Sequence, residues 1–66
     1  MPENQDNSYR VEIKWRGNFH WSSYGEPYTD YDKALSRGKS AVEAHGNGGA
    51  KGVRVVDDSE KVLWHW

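Results

Sequence analysis

The chain has 66 residues, no cysteine and a formal net charge of −1, with nine Lys or Arg against ten Asp or Glu. This length allows one domain at most, and the lack of cysteine excludes a disulfide framework and a thiolate zinc site. The charge balance gives no net attraction for nucleic acid, and no membrane span or signal peptide is recognisable, so we expect a cytoplasmic protein.

Aromatic residues are the main source of apolar surface. Leu, Ile, Val and Phe together number 10, few for a folded chain, but four Trp and four Tyr are also present. Each buried aromatic side chain removes about 150–250 Å² from water. We therefore expect residues 8–66 to fold as one domain with an aromatic core, and the polar residues 1–7 to form a disordered tail.

The first predicted element is a strand from Tyr9 to Arg16, because apolar and charged residues alternate along it. Gly17 and Asn18 predict a hairpin turn, since both adopt positive φ readily. A second strand, residues 19–24, follows the turn and ends at the Gly-Glu-Pro of residues 25–27.

The loop length of this hairpin decides which side its second strand presents to solvent, because a slip of one residue reverses the faces. A two-residue loop, 17–18, leaves Phe19 and Trp21 outside. A three-residue loop, 16–18, pairs Ile13 with Trp21 and buries both aromatic rings. We favour the three-residue loop, because exposing each ring would forfeit roughly 2–3 kcal/mol.

A helix of about four turns is predicted next. Thr29 and Asp32 have the spacing of a capping box at its start. Residues with helical spacing form its buried stripe: Tyr31, Ala34, Leu35, Gly38, Ala41, Val42 and His45. The small side chains of this stripe predict a helix lying close to the sheet. Gly46 or Asn47 is expected to be the left-handed residue that ends the helix.

A second hairpin completes the predicted fold, with strands 52–56 and 61–66 on either side of a loop at residues 57–60. This loop would place Val62 opposite Val55 and Trp64 opposite Val53, both on the core side. The fold class is therefore α+β, in the order ββαββ, with a four-stranded, mainly antiparallel sheet and one helix packed on one face.

With these registers, the uncovered side of the sheet is predicted to carry Arg10, Glu12, Lys14, His20, Ser22, Tyr24, Arg54, Val56, Leu63 and His65. Six of these are candidate binding residues: Arg10, Lys14, Tyr24, Arg54, Leu63 and His65. The leading hypothesis is a small, non-enzymatic protein-binding module that uses this face or an edge strand, including self-association as a dimer. Exposed Leu63 and Val56 beside Arg54 and Tyr24 motivate it.

Single-stranded nucleic acid is the alternative ligand, because basic and aromatic sheet faces stack bases. Such a face would be formed here by Arg10, Lys14, Arg16 and Arg54 with Tyr24, and in the two-residue register Trp21 would join them. A solvated face that binds nothing is the third alternative.

Other motifs predict no chemistry. The glycine-rich residues 46–52 follow a helix and lack the spacing of a phosphate loop. No positioned nucleophile is recognisable, so no enzyme activity and no cofactor are expected. The three histidines are widely spaced, and a surface metal site would require His20 and His65 to converge, so no metal is expected.

A set of turn and core residues runs along the chain: Tyr9, Val11, Gly17, Trp21, Tyr24, Tyr28-Thr29, Ala34, Val53 to Asp57 and Val62 to Trp64. Their positions resemble those of small uncharacterised proteins encoded by phages and bacteria. The resemblance spans residues 9–66. It implies an accessory protein that occupies a surface of a larger partner, such as a phage-type inhibitor of a host protein, and it implies no catalytic residues.

Overall fold

A computed structural model of the chain describes residues 8–66, and the predicted tail at residues 1–7 lies outside this range. The elements are β1 (Arg10–Trp15), β2 (Ser22–Ser23), α1 (Tyr31–His45), β3 (Ala50–Val56) and β4 (Val62–His65). The strands form one antiparallel sheet in the order β2-β1-β3-β4, and α1 packs against one side of it. The predicted ββαββ fold is confirmed. Within residues 8–66, no helix has the length and apolar character that a membrane crossing requires.

The core lies between α1 and the two central strands. Val11 and Ile13 of β1 pair with Val55 and Val53 of β3, and all four side chains are buried. The helix contributes small buried residues, Ala34, Gly38 and Ala41. Partly buried aromatic residues surround this cluster: Tyr9, Trp15, Tyr24, Tyr28, Tyr31 and Trp64. The alternation of β1 and the small-residue stripe of α1 were therefore predicted correctly.

Asp30 caps the start of the helix. Its side chain accepts a hydrogen bond of 2.9 Å from the backbone N–H of Asp32, so Asp30 takes the capping role expected for Thr29. At the other end, Gly46 is right-handed (φ −67°) and its N–H donates to the carbonyl of Val42. The expectation of a left-handed Gly46 or Asn47 was wrong, because the first positive φ after the helix is that of Gly48.

The first hairpin has the register of the two-residue loop. Ile13 pairs with Ser22, so the favoured pairing of Ile13 with Trp21 was wrong. Regular pairing is also limited to Ser22–Ser23 rather than residues 19–24. Phe19 is 85% exposed, and Trp21 lies on the side of the sheet away from α1.

The second hairpin is closed by a loop of three residues, because the N–H of Asp57 donates to the carbonyl of Lys61. Glu60 supplies the left-handed residue of this loop (φ 68°). The carboxylate of Asp57 accepts hydrogen bonds from the backbone N–H groups of Ser59 and Lys61 and from the hydroxyl of Ser59. These bonds, that from Lys61 above all, lower the pKa of Asp57.

This loop and a bulge change the register of β4 in two steps. Val62 pairs with Val56, and Trp64 then pairs with Val55 instead of Val53. The first step moves Val62 to the side of the sheet away from the helix, where it is 41% exposed, so its predicted core position was wrong. The second step is the bulge, which returns Trp64 to the helix side as predicted and leaves Leu63 as its extra residue.

Candidate binding site on the open face of the sheet

The side of the sheet that α1 does not cover is called the open face here. Its residues pair across β1, β3 and β4: Arg10, Glu12, Lys14, Gly52, Arg54, Val56, Val62 and His65. Four of the six predicted binding residues lie on this face, namely Arg10, Lys14, Arg54 and His65. The open face therefore retains most of the charged side chains expected for it.

Two of the predicted binding residues lie elsewhere. Tyr24 was expected on the open face, but its N–H donates to the carbonyl of Val11 and its ring faces α1. There its hydroxyl lies 3.2 Å from His45 Nε2 and its ring centroid lies 5.0 Å from Arg37 Cζ. The one-residue difference in the first hairpin explains this reversal. Leu63, the extra residue of the bulge in β4, does not line the cleft described below.

Trp21 lies across the open face above Gly52. A Cβ added at Gly52 would lie 3.0 Å from Trp21 Cη2, so only glycine leaves room for the ring at this distance. Arg54 Cζ lies 4.2 Å and Lys14 Nζ 5.3 Å from the Trp21 ring centroids. Cation–π attraction therefore holds the ring against β1 and β3.

Ion pairs order the charged side chains beside Trp21. Arg54 Nε donates to Glu12 Oε1 at 2.7 Å, and Arg54 Nη2 is also 2.7 Å from this oxygen. Arg10 Nη2 lies 3.5 Å from Glu12 Oε2 and donates to Glu60 Oε2 at 2.8 Å. The bond to Glu60 is the main cause that raises the pKa of Arg10. Glu12 is therefore neutralised by two arginines and keeps the guanidinium of Arg54 beside the indole.

An open cleft of about 490 Å³ lies next to this arrangement. Its lining residues come from β1, β3, β4 and the segments next to them: Lys14, Trp21, Lys51, Gly52, Arg54, Val62, His65 and Trp66. None of these is acidic. Trp66 is fixed by its N–H, which donates to the carbonyl of Val53, and its ring packs against Gly46 at the end of α1, where an added Cβ would lie 3.2 Å from Cη2. The side chain of Trp66 is 48% exposed. The cleft thus combines the indole ring of Trp21 with three cationic side chains, and Trp66 borders it at the end of β4.

Five cleft residues were not among the predicted binding residues: Trp21, Lys51, Gly52, Val62 and Trp66. For Trp21, the signal in the sequence was the alternative two-residue loop of the first hairpin, because that register places the ring outside the core. Val56, which was expected as an exposed apolar residue, lies on the open face but is fully buried. Among residues 8–66, no group of three His, Asp or Glu side chains is placed to hold a metal ion.

We expect Gly52→Ala to displace the Trp21 ring, since the added methyl group would lie 3.0 Å from Cη2. The far end of a side chain can move, so the fold should persist while the indole signal of Trp21 shifts in NMR spectra. Lys51→Ala, at the adjacent exposed position, is the control and should leave that signal nearly unchanged. An unchanged Trp21 signal in Gly52→Ala would contradict the contact.

Comparisons with protein-family models, curated proteins and solved structures find no match to this chain. The resemblance to small phage and bacterial proteins therefore stays a prediction, and the function is argued from the geometry of the open face.

Proposed function

We propose that the protein is a small, non-enzymatic binding module and that the cleft on the open face is its binding site. The observation that supports this most directly is the concentration of Trp21, Trp66 and Arg54 around one cleft. Tryptophan and arginine are the side chains that most often dominate binding energy at interfaces. The volume of the cleft is within the usual range of ligand sites.

The geometry also supplies a preorganised surface. Arg54 is held by both Glu12 and Trp21, so it loses little conformational freedom when a partner binds. Trp21 is likewise held against Gly52. A partner that contacts these side chains therefore meets groups that are already ordered.

The sequence favoured a protein partner for this face, and the structure changes which residues support that hypothesis. Val56 is buried and Leu63 does not line the cleft, although these residues motivated the hypothesis. Val62 and Trp66, both exposed apolar residues at the cleft, now support it instead. The narrower hypothesis of a phage-type inhibitor of a host protein and the cytoplasmic location both stay predictions.

A charge reversal tests whether the open face is the binding site. We expect Lys14→Glu to abolish capture of a partner from lysate of the source organism, because it places a carboxylate inside the cleft. Lys39→Glu makes the same change of charge on the exposed side of α1 and should leave capture intact. Captured material is analysed both for protein, by mass spectrometry, and for nucleic acid, by sequencing.

Thermal unfolding of both variants controls for loss of structure. Equal capture by the parent and by Lys14→Glu would contradict the assignment of the cleft. So would loss of capture in Lys39→Glu to the same extent. Failure to capture anything with the parent protein would contradict the proposed function itself.

A further inference from the structure

Strand β4 forms one edge of the sheet, and within residues 8–66 no strand pairs with its outer side. The N–H of Trp66 donates to the carbonyl of Val53, and His65 is paired with Arg54. Because backbone groups alternate in direction along an antiparallel strand, the N–H and the carbonyl of His65 point away from β3. An edge with free donors and acceptors is complementary to another strand.

The side chains of this edge do not protect it from pairing. Val62–His65 contains no proline, Lys, Arg, Asp or Glu, the residues that usually protect an edge strand. The bulge distorts only the first half of the strand. Large apolar side chains are exposed at four positions in the described chain, and three of them lie on this strand or directly after it: Val62, Leu63 and Trp66. The opposite edge, β2, has only two residues and is too short to hold a partner strand.

The two ends of the β3–β4 hairpin carry opposite charges. Residues 57–61, at the loop, contain three carboxylates and one lysine. At the other end, β3 continues past the last pair with β4 through Gly52 and Lys51, and Lys14 pairs with Gly52. Lys51 and Asp58 are both exposed, and neither has an ion-pair partner among residues 8–66. The hairpin is therefore acidic at its loop and basic at its open end.

We infer that two copies of the chain associate through β4, with the two strands antiparallel and related by a two-fold axis. In this arrangement the loop of each copy lies just beyond the end of the other copy's β4, which is where Lys51 is. The contact between Lys51 and Asp58 is then made twice. A parallel arrangement would bring the two acidic loops together, so charge complementarity selects the antiparallel one. Any extended strand could bond to the edge, but a second copy also supplies the opposite charge at each end.

Sedimentation velocity of the purified chain over about 5–500 micromolar measures this association, because interfaces of such small size are weak. We expect a dimer whose fraction rises with concentration. His65→Pro removes the N–H that points outward and no hydrogen bond of the β3–β4 ladder, so this variant should fold and stay monomeric. His65→Ala keeps the N–H and should dimerise like the parent. Thermal melts followed by circular dichroism check the fold of both variants.

Charge reversal tests the orientation of the two strands without altering β4. Lys51→Glu and Asp58→Lys should each weaken dimerisation by about 2- to 25-fold, since an exposed ion pair changes an equilibrium constant by about 1.4- to 5-fold and is made twice. Both reversals in one chain restore the contact, so the dissociation constant should return to within about threefold of the parent. Lys39→Glu, on α1, should leave dimerisation unchanged.

Three outcomes would overturn the inference. One is a chain that stays monomeric over the whole concentration range. Another is a folded His65→Pro variant that dimerises like the parent, because the interface would then lie elsewhere. The third is a double reversal that associates no better than the single variants, since the strands would then not be antiparallel. These measurements use the chain alone, so this inference and the proposed function of the cleft can fail independently of each other.

Discussion

Trp64→Ala is expected to unfold the protein or to leave it barely stable. The ring packs against α1 and β3: Trp64 pairs with Val55, and its Cζ3 atom would lie 3.1 Å from a Cβ added at Gly38. Deleting a core tryptophan typically costs about 3–5 kcal/mol. A chain of this length has a total stability of roughly 3–10 kcal/mol, so the loss is comparable with the whole.

Urea denaturation followed by circular dichroism measures this loss without relying on the fluorescence of the deleted residue. Trp66→Ala is the matched control, because the same side chain is removed from a position that is 48% exposed. It should cost clearly less than Trp64→Ala. A Trp64→Ala variant as stable as the parent would contradict the packing of this ring between the sheet and the helix.

The position of Trp64 shows what the sequence can predict about β4 and what it cannot. Alternation predicted its face correctly, because the helix side must receive the large ring. The pairing partner was wrong, since the hydrogen bonds accepted by Asp57 form a shorter loop than the one assumed. The bulge that follows compensates for this shift at Trp64 but not at Val62. Such side-chain hydrogen bonds in a loop leave no trace in hydrophobic periodicity.

The first hairpin shows a different limit. The three-residue register follows only if a large aromatic ring avoids solvent by joining the core. Trp21 instead covers Gly52 on the open face and is contacted by Arg54 and Lys14, so it is half-buried without facing the helix. Phe19, by contrast, is 85% exposed. A glycine in β3 made this arrangement available, and two residues so distant in sequence give no local signal.

The candidate site was consequently predicted only in part. Arg10, Lys14 and Arg54 were placed on the correct face, since the alternation of β1 and β3 determines their orientation. His65 also lies on this face, but only because the bulge in β4 compensates for the shorter loop. Trp21 depended on the register of the first hairpin: the two-residue alternative placed it on this face, and the favoured three-residue loop did not.

Gly38→Leu is expected to be the second strongly destabilising change. Gly38 lies in the middle of α1, where glycine costs about 1 kcal/mol relative to alanine, so its presence needs a packing reason. A Cβ at this position would lie 3.1 Å from Trp64 Cζ3 and 3.3 Å from Val55 Cγ2. The remaining atoms of leucine have no space between these groups, and they would force α1 away from the sheet.

Overpacking of this kind costs about 1–3 kcal/mol for small additions, and leucine adds a whole side chain. The gain in helix propensity is about 1 kcal/mol and does not offset it. Ser40→Leu, which adds a leucine on the exposed side of the same helix, controls for the effect of the new side chain and should change stability by less than about 0.5 kcal/mol. The stabilities of the two variants are compared by their urea denaturation midpoints. A Gly38→Leu protein as stable as Ser40→Leu would mean that α1 does not lie close to Trp64 and Val55.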